Sequence, residues 1–408
     1  MKVKKCRNCN STKTEKLFSL GDIPYSGFFP KNKNTVVEKK NLTLMKCKIC
    51  HLVQLNEKFN PKKLYNNNYG YRTGINKTMT NHVKNLAKKL IKITKLKKNE
   101  SVLDIASNDA TLLNFYNKNI IKCGCDPLIP KFKNLYKKIN YILPDFFSAK
   151  GLINIYGYTP KFKIITAVAV FYDLESPNSF LNDIHKILSN DGIFVLEMAD
   201  LGKIIKNVMF DTICHEHLEY YSCEVIIEMA KKNNLEVIDI EYNSSNGGSS
   251  RFYICQKNSK YKIKHQKIKK ILKDESKIKL KSAKTYRMLF NKIHRVKEQL
   301  IETLTNIKSK NQKIFGYGAS TKGNILLEYF GINKKLVNYI AERNPEKYNK
   351  FTPSGKIPII SEAKARRLKP DYYLVLPWHF KNEILIREKS ERKRGAKFIF
   401  PLPKLTIY

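Results

Sequence analysis

The stretch SVLDIASNDATLLNFY, residues 101–116, decides the fold. Val102, Leu103 and Ile105 make a short apolar run, the pattern of a strand covered on both faces. Small and polar residues occupy 106–110 and predict a tight turn; from Thr111 the pattern predicts a helix. Residues 120–128, IIKCGCDPL, predict a second short strand that stops at an acid, Asp126. Strand, small-residue turn, helix, strand and acid, in that order, predict a Rossmann-like nucleotide site. The small turn lets a ligand approach the backbone, and the acid accepts hydrogen bonds from ribose hydroxyls.

The turn narrows the ligand. A dinucleotide fingerprint reads GxGxxG, whereas DIASNDATLL contains no glycine. That argues against NAD but not against S-adenosylmethionine (SAM), whose turn needs small residues rather than three glycines. On this reading Asp104 or Asp109 holds the amino-acid end of the cofactor, and Asp126 its ribose.

Further strands are predicted at KIITAVAVF, GIFVLEM, LEVIDIEY and RFYICQ, the earlier ones separated by helical stretches. An α/β domain with a mostly parallel sheet is expected. Upstream, HVKNLAKKLIKIT spaces its apolar residues helically. Leu289, Ile293, Val296, Leu300, Leu304 and Ile307 recur three or four apart, which predicts a connecting helix with one packed face. A third unit opens at NQKIFGYGASTKGNILLEYFGI, where a strand again runs into small residues, Gly316, Gly318 and Ala319, and then a helix. It continues through VNYIAERNP, GKIPII and DYYLVLPW to AKFIFPLP, a second and smaller α/β layer. Two such halves suggest duplication, with a ligand in the cleft between them.

Ahead of these units stand CRNC and CKIC, placing Cys6, Cys9, Cys47 and Cys50 as two knuckles. Two CxxC pairs chelate a tetrahedral zinc through four thiolates, whatever the length of the chain between them. Four thiolates leave no open coordination position, so this zinc is expected to fold a module rather than do chemistry. The expected division is a zinc-binding domain over residues 1–70, a cofactor domain over 71–264, a helical connector over 265–310 and a C-terminal lobe over 311–408.

The 408 residues carry a formal net charge of +42, from 77 Lys+Arg against 35 Asp+Glu. The lysines run the whole length in company with asparagines, the pattern of a solvated surface rather than a nucleic-acid patch. Such an excess still helps a phosphate-bearing small substrate approach. No run of about 18 apolar residues occurs, and the first residues lack the apolar stretch of a secretory signal. A cytoplasmic monomer without a membrane partner is expected.

FDTICHEHLEYYS, residues 210–222, concentrates His215, Glu216 and His217 among aromatic residues, although the chain has only 8 histidines. In an extended segment His215 and His217 point to one side, as a metal pair does. Two other readings stand beside that one: buried histidines satisfied by backbone, and a general acid/base group in which Glu216 polarises a neutral imidazole. Tyr220 and Tyr221 would exclude water there.

Taken together, LDIASNDATLL, FDTICHEHLEYYS, NGGSSRFYI, GYGASTKGNILLEYFGI, ERNPEKYNKFTPSGKIPI and LVLPWHF resemble the C-methyltransferases that act on nucleotide-linked ketosugars. The knuckles, with LGDIPYSGFF between them and LVQL after, match as well, so the resemblance spans essentially the whole chain. It implies a zinc-binding N-terminal domain, a central SAM-dependent methyltransferase domain and a C-terminal Rossmann-like domain, with a sugar nucleotide in the cleft. The implied catalytic set is His217 as base, with Glu216, His215, Tyr71 and Asp173. The implied cofactor set is Asp104, Ala106, Asn108, Asp109, Asp126 and Asp145. Tyr69, Tyr221, Lys322, Asn324 and Arg343 are implied for substrate. Relatives of this kind carry glycines where Ala106 and Ala110 stand, a histidine at Asp173 and a tyrosine at Cys214, departures that bear on which sugar and which atom is methylated. The expected function is C-methylation of a nucleotide-activated sugar next to its ketone. The alternatives are O-methylation of such a sugar and a zinc-containing nucleic-acid binder or RNA methyltransferase.

Overall fold

The computed structural model describes residues 3–65 and 69–408; Asn66, Asn67 and Asn68 of the linker lie outside the described residues. The chain builds three sheets in succession. The first begins with β1 (Thr14–Pro24), β2 (Lys39–Cys47) and β3 (Val53–Leu55), an antiparallel meander. A short α1 (Pro61–Leu64) leads through the linker to α2 (Lys77–Thr94). The Asn76 side chain caps α2 by accepting from Met79 N–H, and Met79, Val83, Leu86, Ala87 and Leu90 form its buried stripe.

The central unit runs β4 (Ser101–Ile105), β5 (Ile121–Cys125), β6 (Tyr141–Leu143), α3 (Ala149–Tyr156), β7 (Phe162–Val168), α4 (Pro177–Ile187), β8 (Leu188–Ala199) and α5 (Leu201–Lys206). Then β9 (Glu219–Tyr220) leaves it to pair with β3, so the stretch after the histidines is stitched into the N-terminal sheet. The chain returns through α6 (Cys223–Lys232), β10 (Leu235–Asn243) and β11 (Ser249–Gln256). The sheet order is β10-β11-β8-β7-β4-β5-β6, parallel from β8 to β6, with β11 antiparallel to both its neighbours.

One expectation is corrected here. The chain after the turn forms no helix, only a single 3-10 turn over Leu113–Phe115. Ala106, Asn108 and Ala110 all adopt left-handed backbone, with φ of 57°, 51° and 57°. Asp109 accepts from the Thr111 hydroxyl at the end of this turn. Asn114, Phe115 and Tyr116 are weak helix formers, and burial of Leu113 and Tyr116 decides the segment instead.

The connector is α7 (His265–Ser276) and α8 (Ala283–Ser309). All six residues of the predicted stripe on α8 are buried. They pack the helix against β1, α5 and the third unit, and Phe290 stacks on Phe18 with centroids 5.1 Å apart. The third unit comprises β12 (Ile314–Tyr317), α9 (Thr321–Phe330), β13 (Ile340–Glu342), β14 (Ile359–Ser361), α10 (Glu362–Arg367), β15 (Tyr372–Val375), α11 (Lys381–Arg387), α12 (Lys389–Lys393), β16 (Lys397–Phe400) and β17 (Thr406–Ile407). Its order is β14-β13-β12-β15-β16-β17. The parallel runs β6-β5-β4-β7-β8 and β14-β13-β12-β15-β16 share one topology, third-second-first-fourth-fifth, so the two halves are built alike. Among the described residues no helix is long and apolar enough to cross a membrane.

Candidate active site

The nucleotide turn lies at the carboxyl ends of β4 and β5, where open α/β sheets bind ligands. Asp126 is buried; its carboxylate accepts from Asn108 N–H at 2.8 Å and Leu128 N–H at 2.7 Å. Burial still pushes its carboxyl above the usual range, against those two bonds. Each oxygen keeps a lone pair for a ribose hydroxyl. Asp104, beneath the turn, accepts from Thr166 Oγ1 at 2.6 Å, and burial raises it to about 7. Asp109 is held by the linker: Arg72 Nε donates to it at 3.1 Å and Gly74 N–H at 2.9 Å. Asn108 Oδ1 likewise accepts from Thr73 N–H at 3.0 Å. The small, left-handed turn and the acid at the second strand's end fit SAM. Ala106, Asn108 and Asp126 stand in this cradle, while Asp145 is exposed at its margin.

The knuckles converge. Cys6 Sγ and Cys50 Sγ are 3.5 Å apart, as are Cys9 Sγ and Cys47 Sγ, and all four sulfurs lie within 4.8 Å of one another. Four thiolates at about 2.3 Å from one zinc stand roughly 3.8 Å apart, so the quartet fits a closed tetrahedral site.

The histidine stretch is a turn, not an extended segment, with His217 N–H donating to Cys214 O at 3.1 Å. His215 and His217 therefore diverge, and no metal pair forms. His217 Nδ1 lies 2.8 Å from the carbonyl oxygen of Thr212. A carbonyl only accepts, so Nδ1 carries the proton and Nε2 keeps its lone pair. The ring packs on Tyr172, centroids 4.1 Å apart. Burial first, then the Lys322 charge, lowers its pKa to about 3, so the imidazole is neutral. Beside it Glu216 is 6% exposed and Glu216 Oε2 has no partner among the described residues. Burial raises its carboxyl. Asp173 Oδ2 accepts from Tyr65 at 2.6 Å, whereas Oδ1 has no partner among the described residues. Burial, and then the nearby Glu216 charge, hold Asp173 well above the carboxylate range against the Tyr65 bond.

The other lobes close this space. Gly27 of the zinc module abuts Glu216: a Cβ there would lie 2.7 Å from Glu216 Oε1. Lys322, at the start of α9, donates to Asn246 O at 3.3 Å; burial lowers its pKa and the charge of Asp211 opposes that. Lys347 donates to Ala319 O at 2.6 Å. His379 is driven well below the usual histidine range by burial and by Lys322.

The structure thus brings Glu216, His217, Asp173 and Lys322 to one region, and Tyr69 joins it against Tyr65, centroids 5.1 Å apart. It does not bring others there. His215 is fully buried between Tyr25 and Phe59, with Nε2 3.1 Å from Ile23 O. Tyr221 is buried against Phe171, at 5.1 Å between centroids. Asn324 is 1% exposed and donates to Ser26 O at 2.7 Å, docking the C-terminal lobe on the zinc module. Arg343 donates to Ile75 O and to Glu383, both at 3.2 Å. Tyr71 stands at the rim of the region instead: it is 45% exposed, and its phenol acts electrostatically on Tyr69 and Tyr172. Tyr65, Asp211, Lys347 and His379 are additional members of the region. Asp211, Lys347 and His379 stand in the runs FDTICHEHLEYYS, ERNPEKYNKFTPSGKIPI and LVLPWHF without having been singled out there, and Tyr65 reaches Asp173 across 108 residues, which no local pattern marks.

Matches to known families follow the same three-part order: a zinc binding domain over residues 6–65, a methyltransferase domain over 77–240 and a C-methyltransferase C-terminal domain over 244–403. A nucleotide turn of this kind, inside these matches, makes the protein a SAM-dependent methyltransferase. More narrowly, the three matches in this order support the SAM-dependent C-methyltransferase family. It is 25% identical over 409 residues to the C-methyltransferase NovU of Streptomyces niveus, covering 98% of this chain and 96% of the other. Among solved structures, a SAM-dependent methyltransferase from Clostridium acetobutylicum aligns at 12% identity and TM-score 0.35, over 43% of this chain and 92% of the other. The PH0226 protein of Pyrococcus horikoshii aligns at 16% identity and TM-score 0.35, over 45% and 94%. Likenesses of that size carry no argument about chemistry.

Proposed function

We propose that the protein methylates a carbon next to the ketone of a nucleotide-linked sugar, with His217 as the general base. The observation that carries this reading is the Thr212 carbonyl 2.8 Å from Nδ1, which leaves Nε2 as a free, neutral proton acceptor. SAM supplies an electrophilic methyl on its sulfonium when bound. A hydrogen beside a ketone becomes acidic once charge growing on the carbonyl oxygen is stabilised, and Lys322 is the cation placed to do so. A base with pKa about 3 is weak in this buried, cationic setting. An anionic substrate beside Lys322 would offset that lysine's field and strengthen the imidazole as the reaction needs it. Lys347 extends the cationic wall toward the diphosphate. Tyr69, with the carboxyl groups of Glu216 and Asp173, faces sugar hydroxyls in this reading. His215, Tyr221 and Asn324 act through packing.

Product analysis tests the proposal. With [methyl-13C]SAM and a thymidine-diphosphate 4-keto-6-deoxyglucose probe, the label should appear at a carbon-bound methyl. In heavy water the hydrogen beside the ketone should exchange in a His217-dependent way. Label in an ether methyl, with no exchange, would replace the carbon acceptor by an oxygen.

A further inference from the structure

The orientation of His217 depends on a carbonyl in the 3-10 turn Phe210–Thr212, and that turn is gripped from the C-terminal lobe. Phe210 stacks on Phe330 of α9, centroids 5.0 Å apart, and meets Tyr329 at 5.8 Å. Asp211 is 1% exposed and accepts a hydrogen bond from Trp378 Nε1 at 2.8 Å. The indole sits over Gly247, where a Cβ would come within 2.8 Å of it. Phe210 and Asp211 thus face one lobe while the Thr212 carbonyl faces the base in the other.

Thr212 also offers a second partner to the same ring nitrogen. Thr212 Oγ1 lies 3.2 Å from His217 Nδ1, against 2.8 Å for the carbonyl. The two have opposite consequences. The carbonyl requires a proton on Nδ1 and leaves Nε2 free. The hydroxyl can donate, and if it did the proton would move to Nε2 and the ring could no longer accept one there. Both oxygens belong to Thr212, so the placement of that one residue decides which of them Nδ1 meets.

We infer that Trp378 and Asp211 form an inter-lobe latch that keeps the Thr212 carbonyl on Nδ1, and so act as positioning residues for His217. This rests on the reading of His217 as base, but the latch can be tested without it. Histidine-15N NMR of the full chain reports which ring nitrogen of His217 is protonated, the signal being assigned by its loss in His217→Gln. The wild type should show the Nδ1–H form. Trp378→Phe should give a mixture of tautomers, and with the 4-ketosugar probe its kcat should fall about tenfold while KM for SAM stays unchanged. Adding Thr212→Val, which removes the hydroxyl and keeps the carbonyl, should restore the Nδ1–H form. Asp211→Ala breaks the same bond from the other side and serves if Trp378→Phe does not fold. If Trp378→Phe or Asp211→Ala leaves the tautomer unchanged, the latch is wrong. A shifted tautomer with unaltered kcat would uphold the latch and overturn the base.

Discussion

Val53 of the zinc module pairs in antiparallel register with Tyr220, three residues beyond His217. Leu218 also donates to Tyr172 O at 2.7 Å, and Leu55 N–H to Leu218 O at 2.8 Å. His217 is therefore suspended between the sheet that carries the zinc cysteines and the wall of the cofactor domain. A metal with no open position can affect the chemistry by this route alone.

Zinc removal should lower methyl transfer through the strand, not through the reaction. Stripping the metal with a strong chelator, or replacing Cys47 with Ser, should loosen β3 and β9 and expose their amides to hydrogen exchange. Activity should fall in parallel with that exposure. Retained activity in a metal-free protein with exchanged β9 amides would contradict the coupling.

His215 should govern acid stability more than rate. Burial lowers its pKa to about 4 from an ordinary 6.5, so the unfolded chain takes up the proton first as pH falls. Stability is present above pH about 6.5 and is lost toward pH 4, His215 contributing roughly 3 kcal/mol of that change. His215→Phe should flatten unfolding free energy against pH in this window, measured by denaturant titration. Its methyl transfer should fall far less than that of a His217 variant.

Asp104 works with the opposite sign. Its folded pKa of about 7 lies above the ordinary 3.8, so the folded state holds the proton more tightly. The stability this gives is complete below pH 3.8 and disappears as pH rises through 7. Asp104→Asn keeps an oxygen for Thr166 and should raise Tm over wild type at pH 8, with the difference vanishing near pH 4.

Gly27→Ala should strike the cleft from outside the cofactor domain. The new Cβ would meet Glu216 Oε1 at 2.7 Å, forcing a buried carboxyl to move. A cost of about 1–3 kcal/mol in stability is expected, together with a lower methylation rate at unchanged SAM affinity. Calorimetry and cofactor titration separate the two effects.

What the sequence disclosed follows from what is local. Leu300 and Leu304 lie on a stripe that only a helix packed on one side requires, and α8 buries that stripe. Cys6, Cys9, Cys47 and Cys50 declare themselves because chelation fixes spacing within a knuckle. Asp126 is legible because the strand before it ends there. The missing helix after Ala110 was not: left-handed alanines carry no sequence mark, as glycines would. An extended chain would put His215 and His217 on one side, but the segment turns and sends one to Ile23 and the other to Thr212. The Trp378–Asp211 bond spans 167 residues and has no local signature.

The central claim is tested most directly by His217→Ala assayed for methyl transfer to the 4-ketosugar probe, with SAM binding measured on the same preparation. Turnover should fall by about a hundredfold or more while cofactor affinity holds. Methylation persisting at the wild-type rate in a folded, SAM-binding variant would contradict the account.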